Sequence, residues 1–195
     1  MKIKAFMATL LLLLLSIMSV ACGKEQASAL EQTLSPQVRR VCGSWAYIHD
    51  KETPVAVFEE NGNAVYEDEK YSFDCDAEYI LLKSPDGEEQ RLRYRLEDEG
   101  YMLLYKNTVY AYAGEGEPAD LTGWWRCEQN NWSFEFTDAG TFLEDGFFLG
   151  QYTVDNETQT FTLSYSEQFE DTVCFYRIEG KELYIEYPWT MVKMD

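Results

Sequence analysis

Apolar and polar residues alternate in short runs over most of this chain. The alternation is plain in Leu92-Arg93-Tyr94-Arg95-Leu96 and in Trp132-Ser133-Phe134-Glu135-Phe136. It recurs in Phe161-Thr162-Leu163-Ser164-Tyr165 and in Leu183-Tyr184-Ile185-Glu186-Tyr187. A period of two sets one face on a core and the other in water, so each run predicts a half-buried strand. Turn residues separate the runs at Asn61-Gly62, Pro85-Asp86-Gly87, Glu99-Gly100, Ala139-Gly140 and Glu179-Gly180. From Val41 onward no stretch carries a helical period, and an all-β fold is expected.

The pattern also repeats. Cys42-Gly43-Ser44-Trp45 returns as Thr122-Gly123-Trp124-Trp125. Phe58 to Asn63 parallels Phe136 to Thr141, and Tyr94-Arg95-Leu96 parallels Tyr176-Arg177-Ile178. Between the copies, 114–120 is charged, glycine-rich and without an apolar anchor, as a linker should be. Two antiparallel meander units are therefore expected, 41–113 and 121–195. The alternative is one larger barrel spanning both repeats.

Each unit resembles the small lipocalin-like domains of bacterial lipoproteins. Leu121-Thr122-Gly123-Trp124-Trp125 and Phe136 to Gly140 carry the likeness in the second copy. The first copy keeps Gly43-Ser44-Trp45 and Phe58 to Gly62, with Val41 in place of the leucine. What the resemblance implies is a small barrel with an opening-strand tryptophan at its end and room for a small apolar ligand in its mouth. The candidate ligand or core aromatics are Trp45, Trp125, Trp132, Phe134 and Tyr152.

The longest apolar stretch lies ahead of this body. Met1 to Lys4 is basic, Leu10 to Leu15 is an unbroken leucine run, and Ser19-Val20-Ala21-Cys22 ends the segment. A basic start, a short apolar run and small residues before a cut are the parts of a secretory signal. The segment resembles a lipoprotein signal peptide, with Ser19 where that family usually carries leucine. The resemblance implies a signal peptide over 1–21, cleavage before Cys22, and diacylglycerol and palmitate on that cysteine. Residues 22–40 then read as a lipidated N-terminus and flexible tether. The expected location is the extracytoplasmic face of the cell membrane, held through Cys22. Two acyl chains hold where one does not, at about 0.8 kcal/mol per buried methylene.

Charge narrows the partners. The 195 residues carry a net charge of −19, and losing Lys2 and Lys4 with the signal makes the body more negative still. Such a chain lacks the basic patches that neutralise phosphate, so no nucleic-acid partner is expected. A cationic protein or a small apolar ligand are the partners left open. Lipidation of Cys22 leaves Cys42, Cys75, Cys127 and Cys174. Two disulfides and four packed thiols both fit that count. No close-spaced Cys or His pair suggests zinc, His49 is the sole histidine, and no nucleophile motif appears. Acidic pairs such as Glu59-Glu60, Glu144-Asp145 and Glu170-Asp171 sit at turns and read as solvated. The expectation is a binding or interaction module, not an enzyme, without a cofactor or metal. The alternatives are an acidic surface protein that binds or inhibits a cationic protein and, behind it, a hydrolase working through carboxylates.

Overall fold

A computed structural model describes residues 35–97, 100–165 and 169–194. The expected signal peptide, Cys22 and the expected tether up to residue 34 lie outside the described residues. A short helix, α1 (Pro36–Val41), leads into β1 (Gly43–Tyr47), β2 (Ala56–Phe58), β3 (Asn63–Tyr66) and β4 (Glu69–Cys75). Next come β5 (Tyr79–Lys83), β6 (Glu89–Leu96) and β7 (Tyr101–Tyr112). The second half holds β8 (Gly123–Cys127), β9 (Trp132–Phe136), β10 (Thr141–Glu144) and β11 (Phe148–Asp155). It ends with β12 (Thr160–Ser164), β13 (Thr172–Glu179) and β14 (Glu182–Lys193).

The all-β expectation holds. Every strand pairs antiparallel with its sequence neighbours, and β1 pairs with β14, so the sheet closes in a ring. The alternating runs face as their period predicts: Leu92 and Tyr94 are buried, as are Phe134 and Phe136, Phe161 and Leu163, and Leu183 and Ile185. Each places the polar residues between them on the outer face. The turns at Asn61-Gly62, Pro85-Asp86-Gly87, Ala139-Gly140 and Gly180 fall between strands. Segment 114–120 carries no regular structure and joins β7 to its neighbour β8.

One pairing crosses the ring. The two longest strands, β7 and β14, run antiparallel from Glu182↔Ala111 to Val192↔Tyr101. On their outer edges they change neighbours part-way. β7 pairs with β6 over Met102 to Tyr105 and with β8 at Ala111 and Tyr112. β14 pairs with β13 up to Glu186 and with β1 from Met191. The ladders can thus be followed round two circuits that share this ribbon: β1 to β7 with β14, and β8 to β14 with β7. Pro188 lies in the gap where β14 has left β13 and not yet met β1. A proline has no N–H for a ladder, and an unpaired edge is where a strand tolerates it.

Several local devices occur in matched places. The Trp45 indole Nε1–H donates to the Val41 carbonyl at 2.7 Å, and Trp125 Nε1–H to the Leu121 carbonyl at 2.7 Å. Gly43 and Gly123 precede them at φ +132° and +127°, a conformation open to glycine and strained for other residues. Asp76 accepts from the backbone of Glu78 and Tyr79, and Asp155 from that of Glu157 and Thr158. Glu67 and Asp145 hold φ +48° and +52° in corresponding turns.

At the end of the expected tether, α1 packs rather than hangs free. Val38 and Val41 are buried, and Gln37 Nε2 donates to the Tyr94 hydroxyl at 2.7 Å. Arg93 of β6 ties the two sides of the ribbon on its outer face. Its guanidinium lies 3.9 Å over the Phe175 ring, and its Nε donates to Glu186 at 2.6 Å.

Candidate functional site

The interior is filled by the aromatics that the alternation places there. Trp45, Trp125 and Phe134 are fully buried. Trp125 meets Tyr112 with ring centroids 5.0 Å apart, and Phe134 stacks on Phe136 at 5.3 Å. Tyr152 is half-buried, sets its ring edge against Phe136 at 4.9 Å, and donates its hydroxyl to the Thr137 carbonyl at 3.1 Å. Trp132, on the same face as Phe134 but at the open start of β9, is 39% exposed. The five candidate aromatics therefore do not converge on one site: four pack inward and one is open to solvent.

Cys42, Cys127 and Cys174 are buried thiols, Cys75 is half-buried, and all four are free. Burial pushes the thiols of Cys42, Cys75 and Cys174 above the ordinary range, most strongly at Cys174. A thiol so held is a poor nucleophile. Among the described residues no group of three or more His, Cys, Asp or Glu side chains converges as a metal requires. Among them, too, no helix is long and apolar enough to cross a membrane.

The concave feature lies at the edge of the second-half core, lined by Tyr165 and Tyr187 that pack on it, and against the stretch where β7 and β14 change neighbours. It is an open cleft of about 1040 Å³. Its floor is Leu103 and Tyr105 of β7 with Tyr187, Pro188 and Thr190 of β14. Its wall is Phe147 of the β10–β11 turn with Phe148 and Leu149 at the start of β11, together with Phe169 and Val173. These wall residues are apolar and outward: Phe147 is 69% exposed, Leu149 68% and Phe169 65%. A shallower hollow of about 610 Å³ shares Leu149, Tyr165, Phe169 and Asp171 with it.

The hairpin holds its shape by backbone means. Asp145 takes φ +52° and accepts from the Ser133 N–H at 2.7 Å, and the Phe147 N–H donates to the Glu144 carbonyl at 3.1 Å. Glu144↔Phe148 is the last pair of the β10–β11 ladder, so Phe147 in the turn and Phe148 at the first position of β11 stand side by side, 69% and 50% exposed. Their rings lie 4.5 Å apart.

A polar chain crosses the base of the wall. The Tyr165 hydroxyl donates to Glu144 Oε2 at 2.6 Å. Burial pushes the Glu144 carboxyl above its usual range, the Asp145 carboxylate pushes the same way, and the Tyr165 hydrogen bond opposes them. The Tyr165 phenol is held far up by burial and by that bond to Glu144. Tyr187 is raised as well, chiefly by burial, and its hydroxyl neighbours are Tyr165 and Thr172. Three carboxylates border the cleft: Glu144, Glu170 and Asp171. Arg95, whose Nε is committed to Glu97 at 2.5 Å, and the exposed His49 also line it.

Sequence reasoning did not assemble this cleft. Phe147-Phe148-Leu149 does carry a signal, since three consecutive apolar residues after Gly146 run from a hairpin turn into a strand where alternate positions should be polar. Glu144 and Tyr165 have no such mark, because their meeting depends on the β10–β11–β12 register. Comparison with family models, with curated proteins and with solved structures finds no match to this chain.

Proposed function

We propose that this chain is a lipid-anchored protein of the extracytoplasmic face of a bacterial membrane, and that its β body is a non-catalytic binding module. The observation that carries the binding reading is the apolar wall of Phe147, Phe148, Leu149 and Phe169 turned into a cleft rather than into the core. A cluster of large exposed apolar side chains rimmed by charge marks a contact surface more often than chance exposure. The solvatochromic neutral dye Nile red tests it. The native protein is expected to bind the dye with a blue-shifted emission, and the Phe148→Ser/Leu149→Ser double variant to lose most of that signal while keeping its strand spectrum. Equal emission from both proteins, or none from either, sinks the reading.

The anchor rests on Met1 to Cys22 alone. Cys22→Ala is expected to move the protein from the membrane fraction to the soluble one, or to leave it unprocessed. Normal processing with retention at the membrane counts against the lipid anchor.

The body reads as two related units, 41–113 and 121–195, each resembling a small lipocalin-like barrel. Supporting this are the paired indole bonds of Trp45 and Trp125, the paired Asp76 and Asp155 turns, and the two ladder circuits that share β7 and β14. The cleft lies at one end of the second unit's interior, where Tyr165 and Tyr187 cap its core, and beside the shared ribbon, so a guest bound there touches the ribbon and the second unit together.

A further inference from the structure

We propose that the cleft takes an amphiphile headed by an organic cation, its ammonium group between the Glu144 carboxylate and the Tyr165 and Phe148 rings, its tail along Phe147, Leu149 and Phe169. This rests on the binding reading of the cleft and names the class of guest. The first support is the state of Glu144. One of its oxygens accepts from Tyr165, and no Lys, Arg or His among the described residues lies within ion-pair distance. A half-buried carboxylate without a counter-charge is costly, and a guest cation is the group that relieves it.

The second support is the ring geometry beside that carboxylate. Phe148 and Tyr165 meet edge to face, with centroids 6.5 Å apart at 89°, and Phe147 lies 4.5 Å from Phe148. Aromatic faces next to a carboxylate attract alkylammonium groups through the ring quadrupole, most strongly where water is thinned. The third support is the charge around the cleft. Glu170 and Asp171 add to Glu144, whereas Arg95 is paired with Glu97. An anionic head meets three carboxylates there, and a neutral head leaves Glu144 as it was. The apolar wall asks for a tail, so a bare small cation uses half the site.

Calorimetric titration separates these cases. The probes are decyltrimethylammonium, decyl maltoside and decyl sulfate below their micelle concentrations, with a lysine-rich amphipathic peptide as a fourth. Decyltrimethylammonium is expected to bind about tenfold or more tighter than decyl maltoside, the scale of a desolvated cation–aromatic and ion-pair contact. Glu144→Gln is expected to remove about tenfold of that affinity and to leave the maltoside unchanged. Phe148→Leu, which keeps an apolar tail contact without the ring, is expected to weaken only the cation. Because Glu144→Gln changes one charge in a chain of net −19, diffuse attraction to the acidic surface survives it and is told apart. Equal affinity for cation and maltoside, or a cation affinity indifferent to Glu144→Gln, overturns the proposal while the cleft keeps its apolar role. If no alkyl probe binds, the cleft reading falls with it. Binding by the peptide alone overturns the amphiphile in favour of a protein partner.

Discussion

Trp125→Ala is expected to lower the free energy of unfolding by about 3–5 kcal/mol. The side chain is fully buried, at 0% exposure. It packs in one cluster with Phe134, Phe136, Phe142 and Phe161, and Tyr112 leans on it from β7. Removing the indole leaves a cavity among rigid rings that have little freedom to close it, and cavity volume sets the cost of such a change. It also strips the Leu121 carbonyl of its 2.7 Å donor, a buried acceptor worth about 1 kcal/mol or more when left alone. Against a typical domain stability of about 5–15 kcal/mol, that is a large share. Trp125→Phe refills much of the space but not the hydrogen bond, and is expected to fall well below the alanine variant. Trp45→Ala is expected in the same range, since Trp45 is 1% exposed and bonds to Val41 in the same manner. Both variants are expected to shift a single urea transition, because β7 and β14 belong to both ladder circuits and neither circuit closes without them. A loss below about 1 kcal/mol, or a second transition in either variant, contradicts this account.

Much of the fold was open to reading before any coordinates. The period of two sorts Leu92 and Tyr94 from Arg93 because a strand has only two faces, and the core must take the apolar one. Gly43-Ser44-Trp45 and Thr122-Gly123-Trp124-Trp125 mark matched strand openings because a tryptophan that large dictates what surrounds it. Local chemistry places Asn61-Gly62 and Ala139-Gly140 in turns. What local chemistry does not carry is the pairing of β7 with β14. Both strands obey the alternation, yet nothing in Tyr101 to Tyr112 names Glu182 to Lys193 as its partner. That pairing crosses the ring and depends on how the strands before β7 and those between β8 and β14 close on the same ribbon. Pro188 reads as a strand breaker until the unpaired edge beside it is known. The cleft depends on the same long-range fact, because Tyr105 and Tyr187 come together only across the ribbon. The short helix was also missed. Pro36 to Val41 is too brief to show a period, and it is held by Val38, Val41 and the Gln37–Tyr94 bond rather than by its own propensity.

The second large effect is expected at a residue with no side chain. Gly150→Ala is expected to destabilise the protein by about 3 kcal/mol, the upper end of the overpacking range. Gly150 is buried in β11 opposite Phe142 of β10. A Cβ there meets Phe142 Cε1 at 2.5 Å and the Ser164 carbonyl oxygen at 2.5 Å. The first neighbour is locked: Phe142 is fully buried, with Tyr165 set edge-on against it at 5.0 Å and 90°. The second is backbone, and it moves only if β12 moves away from β11. Gly146 is the useful contrast, since a Cβ there meets nothing within 4 Å and its φ of +79° alone opposes a side chain. Gly146→Ala is therefore expected to cost only about 1–2 kcal/mol, the backbone strain of a left-handed residue. The pair separates lack of room from lack of conformational freedom by urea unfolding alone. Gly150→Ala is also expected to weaken ligand binding, because relief of the clash pushes β11 outward and carries Phe148 and Leu149 away from Glu144 and Tyr165. Equal stability loss in the two variants contradicts the packing argument. Native-like binding by a folded Gly150→Ala protein contradicts the link between β11 and the cleft.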